Sequence, residues 1–495
     1  GIEGFGPQYE LPNAHAFNET CAAVGNVLFN YRMFLLHKDA KYLDVAEVAL
    51  LNNVLAAVNL EGNRFFYVNP LDADGKYPFN HGVAERAPWF GTACCPSNLA
   101  RVTPQVPGMT FAHDDDNLYV PFYSECGTTV NMDGVNVGIE QKTAYPNDGE
   151  ISIAVSPEKT AEFQIHLRIP TWTQDRFVPG DLYAYTDADP NTVTLTVNGA
   201  PVKTELEKGF ATIQREWRAG DRILLHLPMP LRINECHDSV EANRNRVALT
   251  RGPFVMCAEG IDNGGVTQRY FLPQTSETTN VQVSTKAIET GSFIQVTAPA
   301  SRATKDGGTE EANIVLTPYY AWNNRGVGSM TVWLPRDKEL AVYDPHALPK
   351  ESIFSKIKAS HTSPIDTVSA IGDGQEPKWS TGNKVPRWTS RPQKDKPQQV
   401  EARFHETKKM RNVGVYWMQD REDVRFPKEW SLEVEKDGKW EPFKLYTTDR
   451  YDTRANQYNV VHPAAPLECD AIRILMTPQK DACMGILEVQ VAFEE

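Results

Sequence analysis

The stretch Phe163-Gln-Ile-His-Leu-Arg-Ile169 alternates apolar and polar side chains along its whole length. A period of two is typical of a β-strand that buries one face in a core. From about Asn117 onwards the pattern recurs, at 151–155, at 193–197 before the turn Asn198-Gly199, at 223–227, at 247–256 and at 330–334. We therefore predict that residues 111–345 form a β-sandwich region of one or two sandwiches.

The chain that precedes this region reads as helix. Apolar residues recur at helical spacing in two segments between residues 14 and 60, with a break at 37–41. A third, short helix is predicted over 97–106. Between the helices, residues 63–97 are rich in aromatics, Gly and Pro, which indicates a long structured loop of the kind that carries function.

The chain that follows it changes twice. Residues 350–396 are polar and rich in Pro, Ser, Lys and Asp, and we predict a linker over 346–370. The period of two then returns, so that residues 371–495 resemble a discoidin-like (galactose-binding-like) jelly roll. A chain of 495 residues is too long for one hydrophobic core, which stops growing near about 250–300 residues. The predicted fold class is therefore multidomain α + β.

Composition restricts the classes of partner. The net charge of -14 opposes broad attraction to phosphate backbones or anionic lipid surfaces, and no apolar run approaches the roughly 18 residues of a spanning helix. We predict no nucleic acid partner and no membrane partner. Because Gly1 is not an initiator methionine, we expect a processed chain or a fragment from which a signal could have been removed.

The residues that suggest chemistry lie in the first hundred. Cys21, Cys94 and Cys95 lie in predicted loops or element ends, while Cys126, Cys236 and Cys257 lie within or beside apolar runs, where a thiol behaves as a small hydrophobe. Glu19 and Cys21 diverge by about 200° on a helix, so they converge only at an element end. We expect an irregular turn at the two adjacent cysteines. Three thiolates and a carboxylate suit Zn²⁺, but buried free thiols and a vicinal disulfide fit the spacing too.

Several motifs, taken in order, favour one of these alternatives. The segments Glu10-Leu-Pro-Asn, Asn18-Glu-Thr-Cys-Ala22, Phe66-Tyr-Val-Asn-Pro-Leu71 and Trp89-Phe-Gly-Thr-Ala-Cys-Cys-Pro-Ser-Asn98 closely resemble glycoside hydrolase family 127 and its sister family 146, the β-L-arabinofuranosidases. The resemblance continues to about residue 340. It implies that residues 1–110 are the C-terminal part of an (α/α)6 catalytic barrel.

The resemblance also implies roles for individual residues. Glu19, Cys21, Cys94 and Cys95 would bind Zn²⁺, Cys94 would attack the anomeric carbon, and Glu3 would be the general acid/base of a retaining mechanism. Glu47 and Tyr67 match positions that contact the sugar, although Glu47 could instead be an acid on a helix face and Tyr67 a packed aromatic. The implied substrate is a β-L-arabinofuranoside of plant cell-wall glycans.

The sequence departs from the family in its helix count, because a barrel of this kind has about twelve helices and this chain offers three or four. We therefore expect the chain to start in mid-barrel and to need the missing N-terminal part of the same protein as a partner. Without that part, we expect residues 1–110 to fold poorly and to be inactive.

Two other functions stay open at this stage. The first is hydrolysis of another branched pectic sugar, such as aceric acid in rhamnogalacturonan side chains, with Arg64 or Arg86 reading the carboxylate. The second is noncatalytic glycan binding by the last domain through an aromatic platform, although aromatics in a sandwich more often form core; its candidates are Trp417, Trp430, Trp440 and Tyr451. An appended sugar-binding module favours a bacterial periplasmic location.

Overall fold

The computed structural model describes residues 6–14, 16, 18–114, 116–186, 192–203, 205–274, 281–343, 352–364, 366–381, 386–420 and 422–493. Among the described residues up to position 110 there are three α-helices. They are α1 (Thr20–His37), α2 (Ala40–Ala49), which continues as a π-helix (Leu50–Val54), and α3 (Cys94–Val102), which continues as a 3-10 helix (Thr103–Met109). The predicted break is confirmed: Lys38 takes a left-handed conformation, and Asp39 caps α2 by accepting from the Lys41 N–H.

The chain divides into two units, Gly1–Tyr343 and Asp344–Glu495. The strands of the first unit are β1 (Asp72–Asp74), β2 (Ala112–His113), β3 (Asn117–Val120), β4 (Cys126–Met132), β5 (Val135–Thr143), β6 (Glu150–Pro157), β7 (Ala161–Arg168), β8 (Tyr183–Tyr185), β9 (Thr194–Val197), β10 (Ala200–Pro201), β11 (Leu206–Glu207), β12 (Phe210–Trp217), β13 (Asp221–His226), β14 (Leu231–Cys236), β15 (Arg246–Arg251), β16 (Phe254–Glu259), β17 (Tyr270–Phe271), β18 (Gln282–Ile288), β19 (Gly291–Ala303), β20 (Thr309–Pro318), β21 (Ser329–Thr331) and β22 (Trp333–Pro335). Its further 3-10 helices are Thr171–Thr173, Glu241–Asn243, Thr267–Arg269, Tyr319–Ala321 and Lys338–Leu340.

Two sheets of the first unit pack into a sandwich. One has the order β10-β9-β13-β6-β5-β4 and the other the order β11-β12-β7-β3-β2. The alternating residues 163–168 lie in β7. Phe163, Ile165 and Leu167 of this strand are buried in the core that the two sheets share, as the period of two predicts. β7 pairs antiparallel with β12 and parallel with β3.

A third sheet connects the remaining strands of the first unit to the helical region. Its main path is β17-β19-β20-β16-β15-β14-β8, and β1, β18, β21 and β22 pair alongside. β1 lies between α2 and α3 in the chain, yet it pairs with β21, with Asp72 opposite Thr331. Phe66 from the same loop lies fully buried in the core of this sheet. The aromatic loop is therefore attached to this sheet through the pairing of β1 and through the buried Phe66 side chain.

The second unit contains one eight-stranded sheet of order β24-β30-β25-β29-β26-β27, with β23 and β28 also paired to β25. The strands are β23 (Phe354–Ala359), β24 (Trp388–Thr389), β25 (Gln398–Met418), β26 (Glu429–Lys436), β27 (Lys439–Pro442), β28 (Tyr458–Val461), β29 (Leu467–Thr477) and β30 (Gly485–Phe493), and a 3-10 helix spans Val368–Gly372. The predicted jelly roll is confirmed. However, β23 lies inside the range predicted as linker, 346–370, because its polar outer face hides the strand pattern.

Among the helices of the described residues, none combines the length and the apolar character needed to cross a bilayer.

Candidate metal centre

The four predicted ligand residues lie at the starts of two helices. Glu19 is the N-cap residue of α1 and Cys21 is the second residue of that helix, so the expectation that they converge at an element end is confirmed. Cys94 and Cys95 are the first two residues of α3. The irregular turn expected for them is wrong, because Pro96 fits in the first turn of a helix, where a backbone N–H has no intrahelical acceptor anyway.

The start of α1 is fixed by the aromatic loop. The Thr20 N–H donates to the Tyr67 carbonyl at 3.0 Å, and the Thr20 hydroxyl donates to the Phe66 carbonyl at 2.8 Å. Asn69 adds a bond from its amide to the Asn18 carbonyl at 2.9 Å. These backbone contacts set the direction in which Glu19 and Cys21 leave the helix terminus.

The four ligand atoms form one cluster, in which all lie within 4.8 Å of one another. The Sγ of Cys95 lies 3.3 Å from that of Cys21 and 3.9 Å from that of Cys94, and Glu19 Oε1 lies 3.9 Å from Cys94 Sγ and 4.0 Å from Cys95 Sγ. A tetrahedral ion with metal–sulfur distances of about 2.3 Å separates its sulfurs by about 3.8 Å. The cluster therefore has the size and the donor set of a metal site.

The cysteines are free thiols. A separation of 3.9 Å between the Cys94 and Cys95 sulfurs excludes the vicinal disulfide in this structure, since bonded sulfurs lie about 2.05 Å apart. Burial raises the pKa of Cys21 to about 11, and burial also raises the pKa of Cys95, with Cys21 beside it adding to the rise. Without a cation both thiols are protonated at neutral pH, so a bound metal would displace protons.

Asn98 is a residue of this site that the sequence argument missed. Its Nδ2 donates to Cys21 Sγ at 3.1 Å, and its Oδ1 accepts from Arg101 Nη1 at 3.2 Å. The signal was present in the spacing, because Asn98 is four residues beyond Cys94 and so lies on the same face of α3.

Tyr67 is buried and packs near the cysteines in a small aromatic group. Its ring meets His81 edge-on at 4.6 Å and Phe90 at 5.9 Å, and His81 stacks on Phe90 at 5.0 Å. The cluster formed by Tyr67, Phe90 and Cys95 also includes Cys94 at its edge. The structure thus places Tyr67 beside the metal-site residues.

Glu47 lies elsewhere, in a buried polar network between α2 and the first sandwich. Its carboxylate accepts from Tyr145 Oη at 2.6 Å, from Trp172 Nε1 at 3.3 Å and from the guanidinium of Arg168. Arg168 also bonds Asp44 at 2.8 Å. Burial lowers the pKa of Arg168, but the two carboxylates outweigh it and raise that pKa above its usual value.

The other residues predicted for the site are Glu3, Arg64 and Arg86. Glu3 lies outside the described residues. Arg86 is buried and donates to the carbonyls of Ala56, Tyr320 and Trp322, so its guanidinium is not available to a substrate carboxylate. Arg64 is exposed and lies 3.9 Å from Glu85.

Comparison with known families places this geometry in context. Consecutive stretches match the models described as "Beta-L-arabinofuranosidase, GH127 catalytic domain" (residues 1–108), "Beta-L-arabinofuranosidase, GH127 middle domain" (117–229) and "Glycoside hydrolase family 127 C-terminal domain" (231–335). Residues 356–489 match an F5/8 type C domain. The helical region with its thiol cluster and the sandwiches that follow it thus match successive domains of a family of glycoside hydrolases.

Individual relatives agree. The chain is 32% identical to a non-reducing end beta-L-arabinofuranosidase of Bifidobacterium longum subsp. longum over 68% of this chain and 51% of the relative. It is 40% identical, with a TM-score of 0.64, to a solved GH127 beta-arabinofuranosidase over 68% of this chain and 52% of the other. A GH127 beta-L-arabinofuranosidase from Geobacillus stearothermophilus T6 gives 34% identity and a TM-score of 0.60 over 66% and 51%. The chain belongs to glycoside hydrolase family 127, and it spans about half the length of these relatives.

Proposed function

We propose that this chain carries the metal, nucleophile and acid/base of a retaining exo-glycosidase that releases β-L-arabinofuranose from plant cell-wall glycans. The observation that carries the proposal is the cluster of Glu19, Cys21, Cys94 and Cys95 in a chain of family 127. Both solved relatives reported above are described as arabinofuranosidases.

The donor set favours Zn²⁺. Three thiolates and one carboxylate are ligands that zinc takes in tetrahedral sites, and soft sulfur ligands disfavour Mg²⁺ and Ca²⁺. Glu19, Cys21, Cys94 and Cys95 would hold the ion. When bound, zinc would keep the thiols deprotonated at neutral pH, although burial favours their neutral form.

The family resemblance assigns the nucleophile to Cys94, and burial favours Cys94 over Cys95. Cys95 is 0% exposed, whereas Cys94 is only half-buried. The Cys94 sulfur would attack the anomeric carbon while the bond from that carbon to the leaving oxygen breaks.

Glu3 would move the proton in both halves of the reaction. In the first displacement its carboxylic acid donates a proton to the leaving oxygen. In the second, its carboxylate takes a proton from a water whose oxygen bonds to the anomeric carbon, and the carbon–sulfur bond breaks to restore the Cys94 thiolate. Two displacements give net retention. Tyr67, within the aromatic group beside the cysteines, would contact the sugar ring. A sugar contact is one of two roles proposed for Glu47, the other being support of the fold through its buried pair with Arg168.

An exposed apolar stripe on α1 is a candidate contact surface for the part of the relatives that this chain does not span. On α1, Phe29 is 61% exposed and Leu36 is 73% exposed, and at seven residues apart they lie on one face. A packed helical domain buries such side chains. We propose that this stripe receives the N-terminal helices of the catalytic barrel, the part of the relatives that this chain does not span.

Hydrolysis of a carboxylated pectic sugar is the weaker alternative. Of the two arginines proposed to read the carboxylate, Arg86 is committed to three backbone carbonyls, and only Arg64 is exposed. A neutral arabinofuranose therefore suits the described residues better than aceric acid.

Glycan binding by the second unit is a second proposed function, and one side chain favours it. Trp417 and Trp430 are buried core residues, and Arg473 covers the Trp440 ring at 3.9 Å, while Tyr451 packs on Trp430 at 4.7 Å. Trp379, in contrast, is 64% exposed. Its loop is held by reciprocal bonds of 2.8 Å between Ser380 and Asn456. A fixed, exposed indole is a stacking surface for a sugar ring.

Activity measurements test the enzymatic proposal. The protein joined to its N-terminal part is assayed against a panel of β-L-arabinofuranosides and pectic side-chain oligosaccharides, with metal content measured in parallel. We expect about one zinc per chain, release of arabinose, no turnover by Cys94→Ser, and rescue of Glu3→Gln by substrates with good leaving groups. Full activity of Cys94→Ser would reject the cysteine nucleophile, and folded, zinc-free, active protein would reject the metal.

A binding experiment tests the second unit separately. In native gels that contain pectic side-chain oligosaccharides, the Trp379→Ala variant is expected to lose the retardation of its migration. Tyr446→Ala, which removes another exposed aromatic side chain of that unit, is expected to migrate like the parent protein. If the Trp379→Ala variant binds as well as the parent protein, Trp379 is not the sugar-stacking surface, and the catalytic proposal is unaffected.

A further inference from the structure

Asn98 contacts the thiol cluster through a fixed chain of donors and acceptors. The exposed Arg101 donates from Nη1 to Asn98 Oδ1 at 3.2 Å, and Asn98 Nδ2 donates to Cys21 Sγ at 3.1 Å. Arginine has only donors, so it must face the amide oxygen. The Arg101 contact therefore decides the orientation of the amide and points its N–H group at the sulfur.

The three sulfurs of the cluster differ in the donors that reach them. Cys21 Sγ receives the side-chain amide of Asn98, and Cys95 is fully buried. Glu19 Oε1 and Cys95 Sγ each lie 3.9 Å from Cys94 Sγ, and Cys21 Sγ lies within 4.8 Å of it; among the described residues, no nitrogen donates to Cys94 Sγ.

A hydrogen bond to a thiolate withdraws charge from the sulfur and fixes its direction. The sulfur becomes a better oriented ligand and a weaker nucleophile. We propose that Asn98, oriented by Arg101, is a positioning residue that holds Cys21 as a permanent ligand and leaves Cys94 as the sulfur that reacts. The inference rests on the proposed metal site and adds the rule by which the site selects among its thiolates.

Helix geometry makes this role specific to α3. Cys94, Asn98 and Arg101 lie at positions i, i+4 and i+7, so they share one face of the helix. The helix that supplies the reactive cysteine therefore also supplies the donor for the cysteine of α1. The two helix starts are joined by this bond as well as by the sulfur cluster.

The test uses the protein joined to its N-terminal part, with Co²⁺ as a spectroscopic probe. Asn98→Ala is compared with the parent protein by cobalt titration and by partial alkylation with iodoacetamide, in which the modified cysteines are identified by mass spectrometry. We expect Asn98→Ala to bind cobalt about 10–100-fold more weakly. We also expect the ratio of Cys21 to Cys94 alkylation in the cobalt-loaded protein to rise about tenfold or more, since the bond that is lost there is to a thiolate.

Two further variants make the result interpretable. Arg101→Ala keeps Asn98 and alters only an exposed side chain, so it tests the relay if Asn98→Ala fails to fold; we expect a smaller loss of cobalt affinity in the same direction. Gln105→Ala is the control, because Gln105 Nε2 donates to the Arg101 backbone carbonyl at 2.8 Å and is expected to change neither measurement.

The outcomes separate this inference from the proposed function. If the parent protein binds cobalt and both Asn98→Ala and Arg101→Ala match it in affinity and alkylation pattern, the role of Asn98 is overturned and the metal site stands. A parent protein that binds neither cobalt nor zinc overturns the metal site and this inference with it.

Discussion

Replacing Glu47 with glutamine distinguishes two roles for this residue. The family resemblance implies a sugar contact, whereas the described contacts tie the Glu47 carboxylate to Arg168, Tyr145 and Trp172. The substitution keeps the shape of the side chain but removes its charge. It also places an amide N–H group among donors, which leaves hydrogen bonds unmade.

The expected loss of stability follows from the burial of the ion pair between Arg168 and Glu47. Arg168 is 0% exposed and Glu47 is 3% exposed, so water cannot compensate a broken pair. Removing one partner of a buried ion pair costs about 3–5 kcal/mol. Asp44 stays beside Arg168 at 2.8 Å and retains part of the pairing, which favours the lower end of that range. At about 2–4 °C per kcal/mol in a large domain, the thermal midpoint should fall by roughly 6 °C or more.

Calorimetry of the protein joined to its N-terminal part is the assay, since the two units are expected to give separable transitions. Only the transition of the first unit should move. Lys41→Gln is the control on the same helix, because its contact with Asp39 is a surface ion pair and should leave the midpoint unchanged.

The refuting result is equally specific. If Glu47→Gln leaves the thermal midpoint of the first unit unchanged while KM for an arabinofuranoside rises with kcat preserved, the network does not stabilise the fold and Glu47 acts as a sugar contact. A lower midpoint with unchanged KM supports the structural role.

Three other outcomes follow from described contacts. Zinc binding near pH 7.5 should release at least two protons per ion, because Cys21, with a pKa of about 11, and Cys95 are protonated beforehand; calorimetry in buffers of different ionisation enthalpy measures this, and release of none would exclude the thiols as ligands. Burial raises the pKa of Glu488 to about 8, so the stability that this group contributes to the second unit should be fully present below about pH 4.5 and be lost as pH rises through 8. Glu488→Gln should therefore flatten this part of the profile of urea midpoint against pH, and a profile parallel to that of the parent would contradict this. Arg86→Leu leaves three buried carbonyls without their donor and should destabilise the first unit by about 2–4 kcal/mol in urea, with exposed Arg64→Ala as the unchanged control; an unaltered Arg86→Leu midpoint would show that water replaces the guanidinium.

Much of the fold was readable from the sequence because the longer core strands bury one face. β7 is an example, since the alternation of Phe163, Ile165 and Leu167 with polar residues is the core pattern itself. β23 escaped prediction for the opposite reason, as its exposed face lies within a polar segment and only Phe354 is fully buried. A strand with so little core contact carries little of the alternating signal.

The candidate site was predicted unevenly. The ligand residues came from ordered motifs, because spacing alone leaves free thiols, a disulfide and a metal open and favours the free thiols. The helix start at Cys94 was missed. The partner of Glu47 could not be predicted at all. Arg168 lies 121 residues further along the chain, and only the packing of α2 against the first sandwich brings the two together. Contacts of that kind have no local signature in a single sequence.

The metal cluster depends on the sandwiches as much as on the helices. Phe66 and Tyr67, whose carbonyls hold the first residue of α1, belong to a loop that enters the core of the third sheet at Phe66 and joins that sheet at β1. Arg86 closes the same loop by stacking on Phe66 at 4.3 Å and bonding the carbonyls of Tyr320 and Trp322. A change in that sheet would therefore shift Glu19 and Cys21 without touching either residue. Because a metal site tolerates little displacement of its ligands, the sheet acts as the support that sets the cluster geometry.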